Sequence, residues 1–304
     1  MTALAPRITS RRRRTFLRRR RAIGFWLTLP ALLFVGAFFF APLVQMAWMS
    51  LNDWPLVGVI RFVGAENYVA LVQDERFLGA LLVSVVFVLL ATPLTVLLGL
   101  GLALLVRANR RGVSAFRSIF FVPLVIGFAP ASYIWLWLLN PDVGIVNKML
   151  RDLGLAQGSI QWLAEPGTAA LSVVTLFVWK TVGFSMLLLM GGLQGIPQEI
   201  REAASVDGAG RFRTFFSVTL PMMRRTVGLV FVFSTVGSFL IFEPFFILTR
   251  GGPGSATTGV VQWLFSTAFF AFDLGYGAAA SFVILAVLVA FTGLQLRVMR
   301  EESD

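Results

Sequence analysis

Two charged residues, Lys180 and Glu243, stand inside long apolar runs of this chain. A charge facing hydrocarbon near the middle of a bilayer costs roughly 2.5–3.5 kcal/mol, so each must face protein or water. They can line a polar path, tie helices together, or snorkel to an interface. Their neighbours Trp179 and Phe242, with Trp135, Trp137 and Phe245, offer aromatic faces that can stack on the C–H faces of a ligand ring. The absences narrow the chemistry further. The chain has no His and no Cys, which removes imidazole bases, thiolate nucleophiles, disulfides and most transition-metal sites. It has no Gly-x-x-x-x-Gly-Lys-Ser/Thr phosphate loop, so ATP hydrolysis by the usual route is excluded. No catalytic residue and no metal ligand is assigned.

The elements that must position these residues are membrane helices. Of 304 residues 57% are hydrophobic and only 13% charged, where a soluble domain carries about a quarter charged residues. Mean hydropathy is +0.82. No charge interrupts the stretches Arg21 to Asp53, Arg76 to Arg107, or Arg117 to Asp142, each longer than the ~20 residues that cross ~30 Å of hydrocarbon. Further spans are expected at about 168–192, 227–249 and 276–297. The sequence thus predicts an all-α membrane protein with six transmembrane helices in one domain, 22–298, flanked by a basic tail, 1–21, and a short tail, 299–304.

Basic residues orient the spans. With the N-terminus cytoplasmic, the inner segments hold twenty of the 26 Lys and Arg residues, against Arg61, Arg76, Lys148, Arg151 and Arg250 in the outer loops. Both termini are expected in the cytoplasm. The run Arg11–Arg14, Thr15, Phe16, Leu17, Arg18–Arg21 admits three readings. It can contact nucleic acid, which no other feature supports; it resembles a twin-arginine export signal; or it anchors the first span beside anionic lipid. The apolar run that follows is too long and aromatic for a typical cleaved signal, and the anchor reading is adopted.

The loop between spans four and five, about 195–222, carries the densest pattern. Pro197 suits the start of a short helix and Glu199 its dipole. Ala203 and Ala204 leave a small surface for close packing. Asp207-Gly208 and Gly210 break the helix. Phe212, Phe215, Phe216 and Leu220 then form an apolar stripe ahead of Pro221. Two short helices with a turn, lying under the membrane, are predicted. An ordinary amphipathic surface loop would explain the stripe, but it requires none of these spacings.

Glu202-Ala203-Ala204-x-x-Asp207-Gly208-Ala209, followed by Leu220-Pro221, resembles the EAA loop of permease subunits in bacterial ATP-binding-cassette importers. The stretch Phe246-Ile247-Leu248-Thr249-Arg250-Gly251-Gly252-Pro253-Gly254, and Phe272-Asp273-Leu274-Gly275-Tyr276-Gly277, are similar to segments of carbohydrate-uptake permeases. Trp179-Lys180 and Phe62-Val63-Gly64-Ala65-Glu66-Asn67-Tyr68 fit the same group. Phe242-Glu243-Pro244 departs from the family's usual Phe-Asp, with a kink expected at Pro244.

The resemblance implies a type I importer permease fold in the bacterial inner membrane, and a coupling helix in which Glu202, Ala203, Ala204, Asp207 and Gly208 contact an ATPase. It further implies a second, different permease, two ATP-binding-cassette ATPases that hold ATP and Mg, and an extracytoplasmic solute-binding protein. The solute would be a sugar or sugar derivative, or alternatively glycerol 3-phosphate or its diesters. Lys180, Glu243, Trp179 and Phe242 are the candidates for its path. The rival of another class is a stand-alone secondary transporter using Lys180 and Glu243 as an ion pair, which calls for inverted repeats and broken helices. A membrane enzyme lacks the necessary residues.

Overall fold

The computed structural model describes residues 24–106 and 112–301; the basic tail 1–21 and the last three residues lie outside them. Helix α1 (Gly24–Ser50) is uncharged throughout, and Ser50 is its single buried residue. Its last turns pack on the final helix. A two-stranded ribbon, β1 (Asn52–Asp53) with β2 (Arg61–Phe62), follows in antiparallel register, Asn52 opposite Phe62. Arg61 and Asp53 close it with an ion pair at 2.7 Å. Helix α2 (Glu66–Gln73) ties the ribbon to α1: Asn67 Nδ2 donates to the carbonyls of Ser50 and Asn52 at 2.9 and 3.0 Å.

The centre of the bundle is α3 (Glu75–Val106) packed lengthwise on α7 (Pro166–Gln194). Phe87 meets Phe177 edge-on at 5.6 Å, and a Cβ at Gly99 would lie 2.8 Å from that of Ser185. Both numbers rise together along the pair, so the two helices run parallel. Antiparallel to them runs α9 (residues 211–239), where Thr92 and Ser238 hydroxyls meet at 3.0 Å inside the apolar packing. Helix α12 (Leu274–Glu301) closes the bundle, and Gln295 Nε2 donates to Thr235 Oγ1 at 2.8 Å.

Two of the predicted spans are not continuous. The third consists of α4 (Val113–Val125) and α5 (Phe128–Leu138), bent by 102°. The cause is local. Pro130 has no N–H to give, and its ring would clash with the carbonyl of Ile126 if the helix ran on. Ile126 and Gly127 instead take extended conformations, with ψ of 130° and 156°. The fifth span is interrupted without such a bend: Pro244 would meet the carbonyl of Leu240, and residues 240–242 leave the helix before α10 (Pro244–Thr249), a widened π-type turn, while Arg211–Thr249 still runs as one span. The expected kink at Pro244 is therefore a short local interruption of the helix and not a sharp bend.

The fifth span also differs at its start. It was expected to begin near 227 after a separate surface helix. In the structure α9 begins at Arg211, and a π turn at Phe215–Thr219 carries the chain past Pro221 without a break. The stripe Phe212, Phe215, Phe216 and Leu220 belongs to the first turns of the span itself. The remaining elements are α6 (Ile145–Asp152), held by the buried Asn147, which accepts from the N–H groups of Ile160 and Trp162 Nε1; α8 (Gln198–Val206) between α7 and α9; and α11 (Val260–Phe270) ahead of α12.

Candidate functional site

The first site is α8. Pro197 caps it with φ −54° and ψ 139°, and Glu199 lies in the first turn, where a negative charge complements the exposed N–H groups. Glu202 is exposed, and its carboxylate accepts from Gln198 Nε2 at 2.6 Å, one turn earlier. Ala203 faces out, while Ala204 is turned inward and buried. Asp207 ends the helix. Gly208 then takes φ +74°, the left-handed region a glycine enters without strain. Its N–H bonds the carbonyl of Ser205 at 3.1 Å, and the N–H of Ala209 bonds that of Ala204 at 3.0 Å. These are the two bonds of a Schellman motif, which satisfies the last carbonyls of the helix.

Around α8 the apolar residues are not covered. Val206 is 87% exposed and Phe212 83%, with Phe216 and Ile200 also open. A cavity of about 820 Å³, lined by Leu104, Ser205, Ala209, Phe215 and Thr219, separates α8 from the ends of the bundle. A small helix closed by a Schellman turn and flanked by exposed aromatics has the features of a protein contact surface. The structure brings Glu202, Ala203, Ala204, Asp207 and Gly208 into this one element.

The second site lies at the level of the two helix breaks. The segments that follow the breaks, α5 and α10, pack on each other. Lys180 on α7 is only 5% exposed, donates to the Leu124 carbonyl at 3.3 Å, and sits 4.4 Å from the centre of the Phe128 ring. Glu243, half-buried at the start of α10, is near enough to act on Lys180 electrostatically. Trp179 is half-buried against Trp135 at 6.0 Å. Phe242 belongs to a different group, stacked on Phe246 and packed on Phe265, both at 5.0 Å.

Lys180 and Glu243 act on each other through space without forming an ion pair, whereas Trp179 and Phe242 are held in separate aromatic clusters. Lys180 presents its ammonium to the protein and not to an open wall. Sequence reasoning missed Leu124, Gly127 and Phe128, although Pro130 marked the break. Among the described residues no group of three or more Asp and Glu could hold a metal ion.

Residues 67–300 match the family described as binding-protein-dependent transport system inner membrane component. The probable ABC transporter permease protein YurN of Bacillus subtilis is 32% identical over 285 residues, 93% of this chain and 97% of that protein. The trehalose/maltose transport system permease protein MalF of Thermococcus litoralis is 32% identical, with 93% and 95% covered. The sn-glycerol-3-phosphate transport system permease protein UgpA of Agrobacterium fabrum is 33% identical, with 90% and 94% covered. A solved bacterial alginate ABC transporter in complex with alginate pentasaccharide-bound periplasmic protein shares the fold: TM-score 0.82, 20% identity, 94% of this chain and 96% of that one. The chain therefore has the type I importer permease fold, and the family match leaves the stand-alone secondary transporter without support. The chain belongs to the binding-protein-dependent inner-membrane component family: it is a permease subunit of an ATP-binding-cassette importer, a transport component and not an enzyme.

Proposed function

We propose that this subunit forms half of a heterodimeric translocation pathway for a sugar or sugar-derived solute, driven through α8 by two ATPases that hold ATP and Mg. The carrying observation is α8 itself, a short helix closed by a Schellman turn and carrying Glu202, Ala203, Ala204, Asp207 and Gly208 in and just after it, beside uncovered Phe212 and Val206. The distribution of basic residues supports a cytoplasmic position for this helix and both termini, with residues 22–298 taken as the permease domain and 1–21 and 299–304 as tails. An extracytoplasmic solute-binding protein then delivers its cargo at the ribbon end. Nucleic acid has no part in this reading.

The path passes the helix breaks, bordered by Glu243, Trp179 and Phe242, with Lys180 supporting it from within the packing. Sugar specificity is supported by relatives named for trehalose/maltose and for sulfoquinovosyl glycerol, and the glycerol 3-phosphate alternative by one named for that solute. The test is purification followed by uptake. The chain should bring a second permease and an ATPase with it. Vesicles holding the complex and its binding protein should take up one member of a panel of labelled disaccharides, glycosyl glycerols and glycerol 3-phosphate. A chain that purifies alone and transports without ATP would overturn the reading.

A further inference from the structure

One stripe of α7 follows the third span across its break. Gly183 lies so close to Phe120 that a Cβ would run into the Phe120 carbonyl. One turn earlier Lys180 donates to Leu124 at 3.3 Å. A further turn back, Phe177 stacks on Phe128 with ring centres 6.1 Å apart and planes 11° from parallel. Contacts at 183, 180 and 177 thus track positions 120, 124 and 128, two before the break and one after it. Lys180 touches both sides, since its ammonium also lies 4.4 Å from the Phe128 ring.

The chemistry explains why a cation stands here. A helix ending at Val125 leaves the carbonyls of its last turn without partners inside the helix, and that end carries partial negative charge. An ammonium meets both demands, and the ring face of Phe128 takes its remaining charge. Glu243, at the start of α10, adds an opposite charge from the second broken span.

We propose that Lys180 is a positioning residue that clasps the bend of the third span, holding α5 at its angle to α4 and so in its packing against α10. It is not a ligand of the transported solute. The role of the bend in transport rests on the path proposed above; the clasp itself does not.

The chain supplies no Cys, so two placed in it are the sole labelling sites once any in the other subunits are replaced. Phe116→Cys on α4 and Tyr133→Cys on α5, both exposed, carry nitroxides in the purified complex in lipid nanodiscs. Pulsed electron resonance then reads the α4–α5 distance without any solute. The native Lys180 gives one narrow distance. Lys180→Met, of similar length but uncharged, raises the share of other distances on the order of tenfold, the effect of losing a charged hydrogen bond. Lys180→Arg restores the narrow distance, and Phe128→Leu broadens it less than Met does. A native distribution in Lys180→Met overturns the clasp. Should that variant fail to assemble, Lys180→Gln and Phe128→Leu take its place, and native distributions in both overturn it equally. Absence of a co-purifying ATPase from the native complex would sink the importer reading while leaving the distance comparison valid.

Discussion

Gly208 separates two roles that the α8 turn could play, backbone geometry and surface contact. The residue sits at φ +74° and a Cβ there would meet nothing within 4 Å. Substitution therefore acts first through conformation. Ala in the left-handed region costs about 1 kcal/mol and Val roughly 2, whereas Asn enters it with little strain. One to two kcal/mol shifts the population of the turn roughly 5- to 30-fold. If the turn fails, Ala209 and Gly208 lose their bonds to Ala204 and Ser205, and the contact face of α8 loses its fixed end. The assay is the amount of ATPase that co-purifies, with ATP hydrolysis by the complex in vesicles. The expected order of retained coupling is Gly, Asn, Ala, Val. Gly208→Asp, which tolerates the backbone as Asn does, isolates charge: it should uncouple although the turn survives. Full coupling in Gly208→Val would refute the reasoning. So would Asn as damaging as Val, because bulk and not backbone would then be the cause.

Gly183→Val should lower the thermal unfolding midpoint sharply, since its side chain meets backbone and exceeds the ~1–3 kcal/mol of ordinary overpacking. Gly191→Val, where an added Cβ meets nothing, should leave the midpoint near native and serves as its control. A reporter after Asp304 and a tag at the N-terminus should both be cytoplasmic, and a reporter near Gly158 external; accessibility labelling of intact cells decides this. Glu243→Ala should reduce uptake while the complex still assembles, read as transport by vesicles against the amount of co-purified ATPase.

The first helix of the loop and its closing turn were legible in the sequence because their requirements are local, whereas the second predicted helix proved to be the start of the fifth span. Pro197 starts α8, Glu199 suits its dipole, and Asp207-Gly208 ends it; each follows from the preferences of one or two residues. The spans were legible because hydrocarbon demands long uncharged runs. Partners across the bundle were not legible. That Lys180 finds Leu124, 56 positions away, depends on the angle at which α7 crosses α4, and that angle depends on Gly183 allowing backbone contact with Phe120. No single-residue preference encodes such a pair.

Proline shows most clearly where local reasoning stops. Pro130 and Pro244 interrupt their spans, yet α3 runs through Pro93 and the fifth span runs through Pro221. Each removes a donor and crowds the carbonyl four residues back, so intrinsic chemistry does not distinguish them. The surroundings do. Pro221 follows a π turn at Phe215–Thr219 that gives its ring room. At Pro130 the preceding Gly127 accepts an extended backbone, and the carbonyl freed at Leu124 finds Lys180. A helix break inside a membrane persists only where another group satisfies the backbone it exposes. The charge in span four and the interruption in span three therefore have one physical explanation: the lysine is tolerated in the membrane because the broken helix offers it a carbonyl, and the break is tolerated because the lysine is there.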